Sequence, residues 1–213
     1  MKNATQDVRV ERRHATTPAD EYNERNGPQK FLSSNEISTI EPFTFMGLPS
    51  LRYLYLNHNK IRSLESNTFV NMSKLYRLYL HTNEISTIEP FSFTNLPSLR
   101  YIHLYGNNIS HIEEHAFGNL TSLSTLDLTG NQLNCDCSIF PFWSWLIKRS
   151  SIGTSSKCSN GTLVTSLQPA VLETCHPDNC PQCFNGGKCG AMGYELICDC
   201  IGQWTGTFCQ GTM

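Results

Sequence analysis

No part of the chain is both long and apolar. Its longest strongly hydrophobic run, residues 139–147, has nine residues, too few to span a bilayer, so no membrane span is expected. Charge of one sign is also missing. Sixteen Lys and Arg against 18 Asp and Glu leave a net charge of −2 with no long run of either sign, which gives no electrostatic case for nucleic acid or an anionic membrane surface as partner. No glycine-rich phosphate loop follows a strand pattern, and nucleophile and metal-ligand signatures are absent, so neither an enzyme nor a cofactor is expected. Residues 1–30 carry mixed charge and almost nothing apolar. They do not form a secretory signal peptide, cannot bury enough surface to fold alone, and are expected to be disordered.

What is present starts with cysteine. All 10 cysteines fall between Cys135 and Cys209, an even number concentrated in the last third of the chain, which reads as a disulfide framework and an oxidising compartment. Sequons at Asn3, Asn71, Asn108, Asn119 and Asn160 agree with that compartment.

The second feature is a repeat. Asparagine recurs at Asn35, Asn59, Asn83, Asn107 and Asn131, each time 24 residues on. In the same register run Ile37, Ile61, Ile85, Ile109 and Leu133, and then Phe45, Phe69, Phe93 and Phe117. Paired apolar residues precede each later asparagine: Leu54 and Leu56, Leu78 and Leu80, Ile102 and Leu104, Leu126 and Leu128. The stretch NEISTIEPF from Asn35 returns from Asn83.

The pattern LxxLxLxxNxLxxLxxxxFxxLxx resembles the 24-residue repeats of extracellular leucine-rich-repeat proteins. The resemblance implies an α/β-type solenoid of short parallel strands with a mostly irregular convex side. Physics accounts for each position. Alternate strand residues point inward and their neighbours outward, and the asparagine amide can satisfy backbone groups of adjacent coils. The phenylalanine and the leucine after it close the outer wall. One coil cannot bury its own apolar face, so the coils must stack and the ends need caps. Lys30 stands where the first coil should be apolar and no cysteine cap precedes it, so the chain reads as a fragment and residues 31–48 as the least stable coil. The repeats are assigned to residues 31–134, in four to five coils.

After Asn131 comes QLNCDC with an aromatic amphipathic stretch, then Cys158 and Cys175. This resembles the C-terminal cap of secreted leucine-rich-repeat proteins, here residues 135–176, and the resemblance implies Cys135–Cys158 and Cys137–Cys175 bridges. Closing a loop of about 24 residues stabilises by roughly 3 kcal/mol. Trp143, Trp145 and Leu146 are read as packing over the last coil. The stretches CPQCFNGGKC and CDCIGQWTGTFC resemble an EGF-like domain, residues 179–210, and imply the pairs Cys180–Cys189, Cys183–Cys198 and Cys200–Cys209. Gly186, Gly187 and Gly206 fall where such a backbone turns. HPDN before Cys180 lacks the acidic pair of calcium-binding members, so no calcium site is expected. Oxidised cysteines also remove the zinc reading of Cys180-Pro-Gln-Cys183. His111 and His115 are expected on a connecting loop, exposed and without metal.

The register also marks the outward residues of each strand: Tyr53, Tyr55 and Asn57; Arg77, Tyr79 and His81; Tyr101, His103 and Tyr105; Thr125, Asp127 and Thr129. Tyrosine and arginine dominate binding hot spots, so this concave face is the candidate ligand surface. None of the sequons lies on it. The order of modules resembles Slit-type guidance proteins, and the repeats are similar to those of Toll-like receptors, proteoglycan cores and variable lymphocyte receptors. An extracellular or ectodomain location follows, with an extracellular protein or cell-surface glycoprotein as partner, in cell–cell, matrix or guidance recognition. Innate or antigen recognition and a structural matrix role are the alternatives.

Overall fold

The computed structural model describes residues 22–23, 27–149, 152–176, 179, 182–186, 188–192, 195–205 and 209–212. Its strands fall where the repeat alternates apolar and polar side chains. In chain order they are β1 Tyr22–Asn23, β2 Gly27–Phe31, β3 Tyr53–Tyr55, β4 Ser63–Leu64, β5 Phe69–Val70, β6 Arg77–Tyr79, β7 Thr87–Ile88, β8 Phe93–Thr94, β9 Tyr101–His103, β10 His111–Ile112 and β11 Thr125–Asp127. Strands β2, β3, β6, β9 and β11 pair in parallel in that order. Leu54, Leu78, Ile102 and Leu126 stand opposite one another. Equivalent repeat positions therefore form straight columns across the sheet, and the inward column is buried. The result is a parallel-strand solenoid of about four turns.

The convex side is not wholly irregular. Strands β4, β7 and β10 form a second parallel sheet, and β5 pairs with β8. Among the described residues helical structure begins only at Cys137, beyond the last repeat.

Residues 27–30 depart from the expected disorder. They belong to β2, with Gln29 opposite Tyr53, Lys30 opposite Leu54 and Phe31 opposite Tyr55. The open edge of β3 offers backbone donors and acceptors, and satisfying them outweighs the poor composition of this segment. β1 then pairs antiparallel with β2 and covers the new edge. The rest of residues 1–30 lies outside the described residues.

The asparagines hold the turns. Asn83 Oδ1 accepts from Ile61 N at 3.1 Å, and its Nδ2 donates to Leu56 O at 3.0 Å and Leu80 O at 2.9 Å. Asn59, Asn107 and Asn131 repeat the pattern. The wall opposite is a spine of stacked rings, Phe45–Phe69–Phe93–Phe117, with centroids 5.6, 5.5 and 5.4 Å apart.

The solenoid's far end is closed by a 3₁₀ turn, Cys137–Ile139, and helix α1, Phe140–Ile147. Asp136 caps the turn, accepting from Ser138 N at 2.9 Å. Phe140, Phe142, Trp143 and Leu146 are buried, and the half-buried Trp145 packs against Phe117 at 5.2 Å and donates to Gly118 O at 3.2 Å. Cys135 is bonded to Cys158 and Cys137 to Cys175. Leu133 pairs in parallel with Cys158, so the cap continues the stacking of the coils.

Beyond helix α2, Pro169–Leu172, β12 (Lys188–Met192) pairs antiparallel with β13 (Glu195–Asp199), and β14 (Trp204–Thr205) with β15 (Gly211–Thr212). Cys183 is bonded to Cys198 and Cys200 to Cys209. Cys189 is also disulfide-bonded, while its expected partner Cys180, like Gly187 and Gly206, lies outside the described residues. Gly186 has a φ of 78°, which a side chain would strain. No helix of the described residues is long and apolar enough to cross a membrane.

Candidate functional site

The parallel register sets three columns of outward side chains on the concave sheet. Tyr53, Arg77, Tyr101 and Thr125 form the first, Tyr55, Tyr79, His103 and Asp127 the second. Asn57, His81, Tyr105 and Thr129 follow at the strand exits. Strands about 4.8 Å apart bring like side chains to stacking distance. Tyr55 lies on Tyr79 at 4.7 Å and Tyr79 on His103 at 5.0 Å, with planes within 5° and 7° of parallel. His81 stacks on Tyr105 at 4.3 Å. Their faces cover one another, so edges and hydroxyls are what the surface presents.

The ladder begins one coil earlier than the sequence reading placed it. Phe31 stacks on Tyr55 at 4.7 Å, and the buried Gln29 accepts from the Tyr55 hydroxyl at 3.3 Å. Counting back 24 residues from Tyr55 would have found Phe31. Arg52 and Tyr76, one residue before their strands, also join the site. The Arg52 guanidinium lies 5.6 Å from the Tyr76 ring centre, and that of Arg77 lies 4.4 Å from Tyr101 and 5.9 Å from Tyr76. Asn57 stays half-buried at the strand exit. Asp127 accepts from Thr129 N at 3.0 Å and marks the cap end of the face.

The electrostatics follow the packing. Burial holds the His81 imidazole below its usual value of 6.5, with His58 and His103 adding to the effect and Asp127 opposing it. Burial lowers His103 likewise, against Asp127 and with Arg77. Burial and the nearby Tyr79 and Tyr53 raise the Tyr55 hydroxyl, against Arg77. A hydrogen bond with Tyr79 raises Arg77, and one with Tyr76 lowers Tyr101.

Both histidines have folded-state values below their unfolded one. Their contribution to stability is therefore present above pH 6.5 and is lost as pH falls through the lower folded values. The denaturant midpoint is expected to drop between pH 7.5 and 5, and a His81→Asn, His103→Asn double variant to show a smaller drop. Equal drops in the two proteins would refute this assignment.

The other histidines stand elsewhere. His111 is exposed but opens β10 rather than sitting in a loop, and its Nε2 lies 3.1 Å from Asn134 Nδ2. His115, exposed at a φ of 60°, stacks on Phe91 at 5.7 Å. No group of three or more potential metal ligands occurs among the described residues.

A cavity of about 510 Å³ opens between the last coil and the cap, lined in part by Phe117, Phe142, Trp145, Arg149 and His176. Arg149 lies 4.1 Å over Trp145 and donates to its carbonyl at 2.9 Å. Arg149 thereby steadies Trp145, which itself meets the last coil at Phe117 and Gly118. Asn71, Asn108, Asn119 and Asn160 are all exposed and lie off the concave columns.

Fold and face together define a leucine-rich-repeat solenoid. Residues 31–85 and 73–133 match the family model described as leucine rich repeat. No curated protein matches the chain. Among solved structures 231 chains match. One, titled as a crystal structure of a TLR13–ssRNA13 complex, is 36% identical with a TM-score of 0.48, over 50% of this chain and 15% of that one.

Proposed function

We propose that the chain is an extracellular, non-catalytic recognition module that binds a protein partner through its concave face, in cell–cell, matrix or guidance-type signalling. The observation that carries this reading is the stacked ladder Phe31–Tyr55–Tyr79–His103. Rings already ordered by one another lose little freedom on binding, and their polar edges suit a protein surface. The bridges at Cys135–Cys158, Cys137–Cys175, Cys183–Cys198 and Cys200–Cys209 support an oxidising location. In this reading residues 135–176 are the C-terminal cap and residues 179–210 an EGF-like module, in Slit-like order after the repeats. Cys180–Cys189 would complete the EGF-like set. Glycans at Asn71, Asn108, Asn119 and Asn160 would leave the concave columns open.

The test is a cell-surface binding screen with the recombinant chain. The triple variant Tyr55→Ala, Tyr79→Ala, His103→Ala should lose partner binding while keeping its circular dichroism spectrum. Unchanged affinity in a folded triple variant removes the concave-face reading.

A further inference from the structure

One end of the concave face carries positive charge that no described carboxylate neutralises. Arg52 and Arg77 flank the Tyr76 ring, their guanidinium carbons 5.6 and 5.9 Å from its centre. Arg77 also lies over Tyr101 at 4.4 Å, and its Nη1 reaches the Tyr79 hydroxyl only at 3.4 Å. Its Nε is sealed from solvent without a hydrogen-bond partner. Among the described residues the Lys and Arg ion pairs are Lys60–Glu36 and Arg62–Glu84, so neither Arg52 nor Arg77 has a carboxylate partner. Asp127, the acidic member of the columns, stands two coils from Arg77, roughly 10 Å along the stack at the ordinary strand spacing. Two like charges held around one ring repel each other, and aromatic faces fix the guanidinium planes without using up their donors.

We propose that this arginine–tyrosine cluster receives an acidic side chain, aspartate or glutamate, from a protein partner, with Arg77 as the principal anchor and Arg52 beside it. The proposal rests on the concave face being the binding surface. A guanidinium fork matches a carboxylate in geometry as well as in charge, and the Arg77 Nη1 contact with the Tyr79 hydroxyl, at 3.4 Å, uses only one of its terminal N–H groups. The surroundings favour one anionic anchor within a polar aromatic surface. A nucleic-acid strand would need a longer line of cations along its phosphates; here Arg52, Arg77 and the exposed Arg100, which stands in Arg52's column, are opposed at the far end by Asp127. Gly27 leaves room for the arrangement: a Cβ there would lie 2.5 Å from Arg52 Cδ.

A displayed library of random 12-residue peptides, selected on the immobilised chain, provides the probe. The selected peptides should share an Asp or Glu. Replacing that residue by Asn or Gln, or Arg77 by Gln in the chain, should weaken binding at least about tenfold. Arg77→Lys keeps the charge without the fork and should recover only part of the affinity, which separates recognition from simple attraction. Arg52→Gln serves as a second variant should Arg77→Gln fold poorly, with a smaller loss expected. Selection without acidic peptides overturns the proposal, as does acidic binding indifferent to both arginines. Arginine-dependent binding of a single-stranded RNA oligonucleotide in a parallel arm overturns it too. Peptides that bind the Tyr55/Tyr79/His103 triple-alanine chain undiminished sink the concave-face reading itself. Non-acidic peptides lost on that variant sink only the carboxylate assignment.

Discussion

Phe93→Ala is expected to destabilise the chain by about 3–5 kcal/mol. The ring is fully buried and stacked on both sides, by Phe69 at 5.5 Å and Phe117 at 5.4 Å. Its removal leaves a void the structure cannot close. The backbone beside it is held by Phe69 N donating to Ser92 O at 3.0 Å and Phe93 N donating to Ala116 O at 3.2 Å. Each coil contacts only its neighbours, so one missing ring weakens two interfaces at once. At about 2–4 °C per kcal/mol for a protein of this size, the melting temperature should fall by roughly 6–20 °C. Phe91 is the control. It is two residues away and 49% exposed, so Phe91→Ala should stay within about 0.5 kcal/mol of the parent. Equal losses at the two positions would mean that the ring spine does not hold the outer wall.

Asn83→Ala should cost about 3 kcal/mol, although it removes only a small polar group. The amide serves Ile61 N, Leu56 O and Leu80 O, all within 3.1 Å and all in the interior. Alanine serves none of them, and a single buried group left unpaired costs about 1–3 kcal/mol. Leu and Asn are close in size, yet Asn83→Leu should be no better, because the deficit is in hydrogen bonds rather than volume. Asn35 provides the comparison at the same repeat position, two coils earlier. It is half-buried and donates only within its own coil, to Leu32 O at 3.1 Å and Ser33 O at 2.9 Å. Asn35→Ala should therefore cost about 1 kcal/mol. Guanidinium denaturation of both variants checks the order, and an Asn35 loss as large as that of Asn83 would contradict it.

Much of this architecture was legible without coordinates because a solenoid repeats its neighbours. The interval of 24 residues assigns each side chain to a column, and strand alternation tells Leu54 and Leu78 to face inward while Tyr55 and Tyr79 face outward. The asparagine role was legible for the same reason: a polar residue at a fixed place beside buried strands needs backbone partners. The reading failed where columns end or meet. Composition argued against order in residues 27–30, yet an unpaired strand edge at β3 recruits them. Short parallel strands on the convex side went unforeseen because pairs such as Thr87–Ile88 are too short to show alternation. Phe43 and Phe91 sit at φ values of 63° and 59°, where the equivalent residue of the intervening coil is Asn67 at 61°. Asparagine suits that conformation and phenylalanine does not, so no residue preference announced it.

The amino-acid order alone determined the period, the buried columns, the outward faces and the cysteine spacing, since each depends only on which residues recur at a fixed interval. Tertiary structure alone decided which neighbours across the columns touch. Arg52 and Arg77 converge on Tyr76, Phe31 extends the ladder, and the stacked tyrosine faces are covered while the Tyr55 and Tyr79 hydroxyls meet Gln29 and Arg77. Those contacts depend on side-chain direction and on the twist between strands, and periodicity encodes neither.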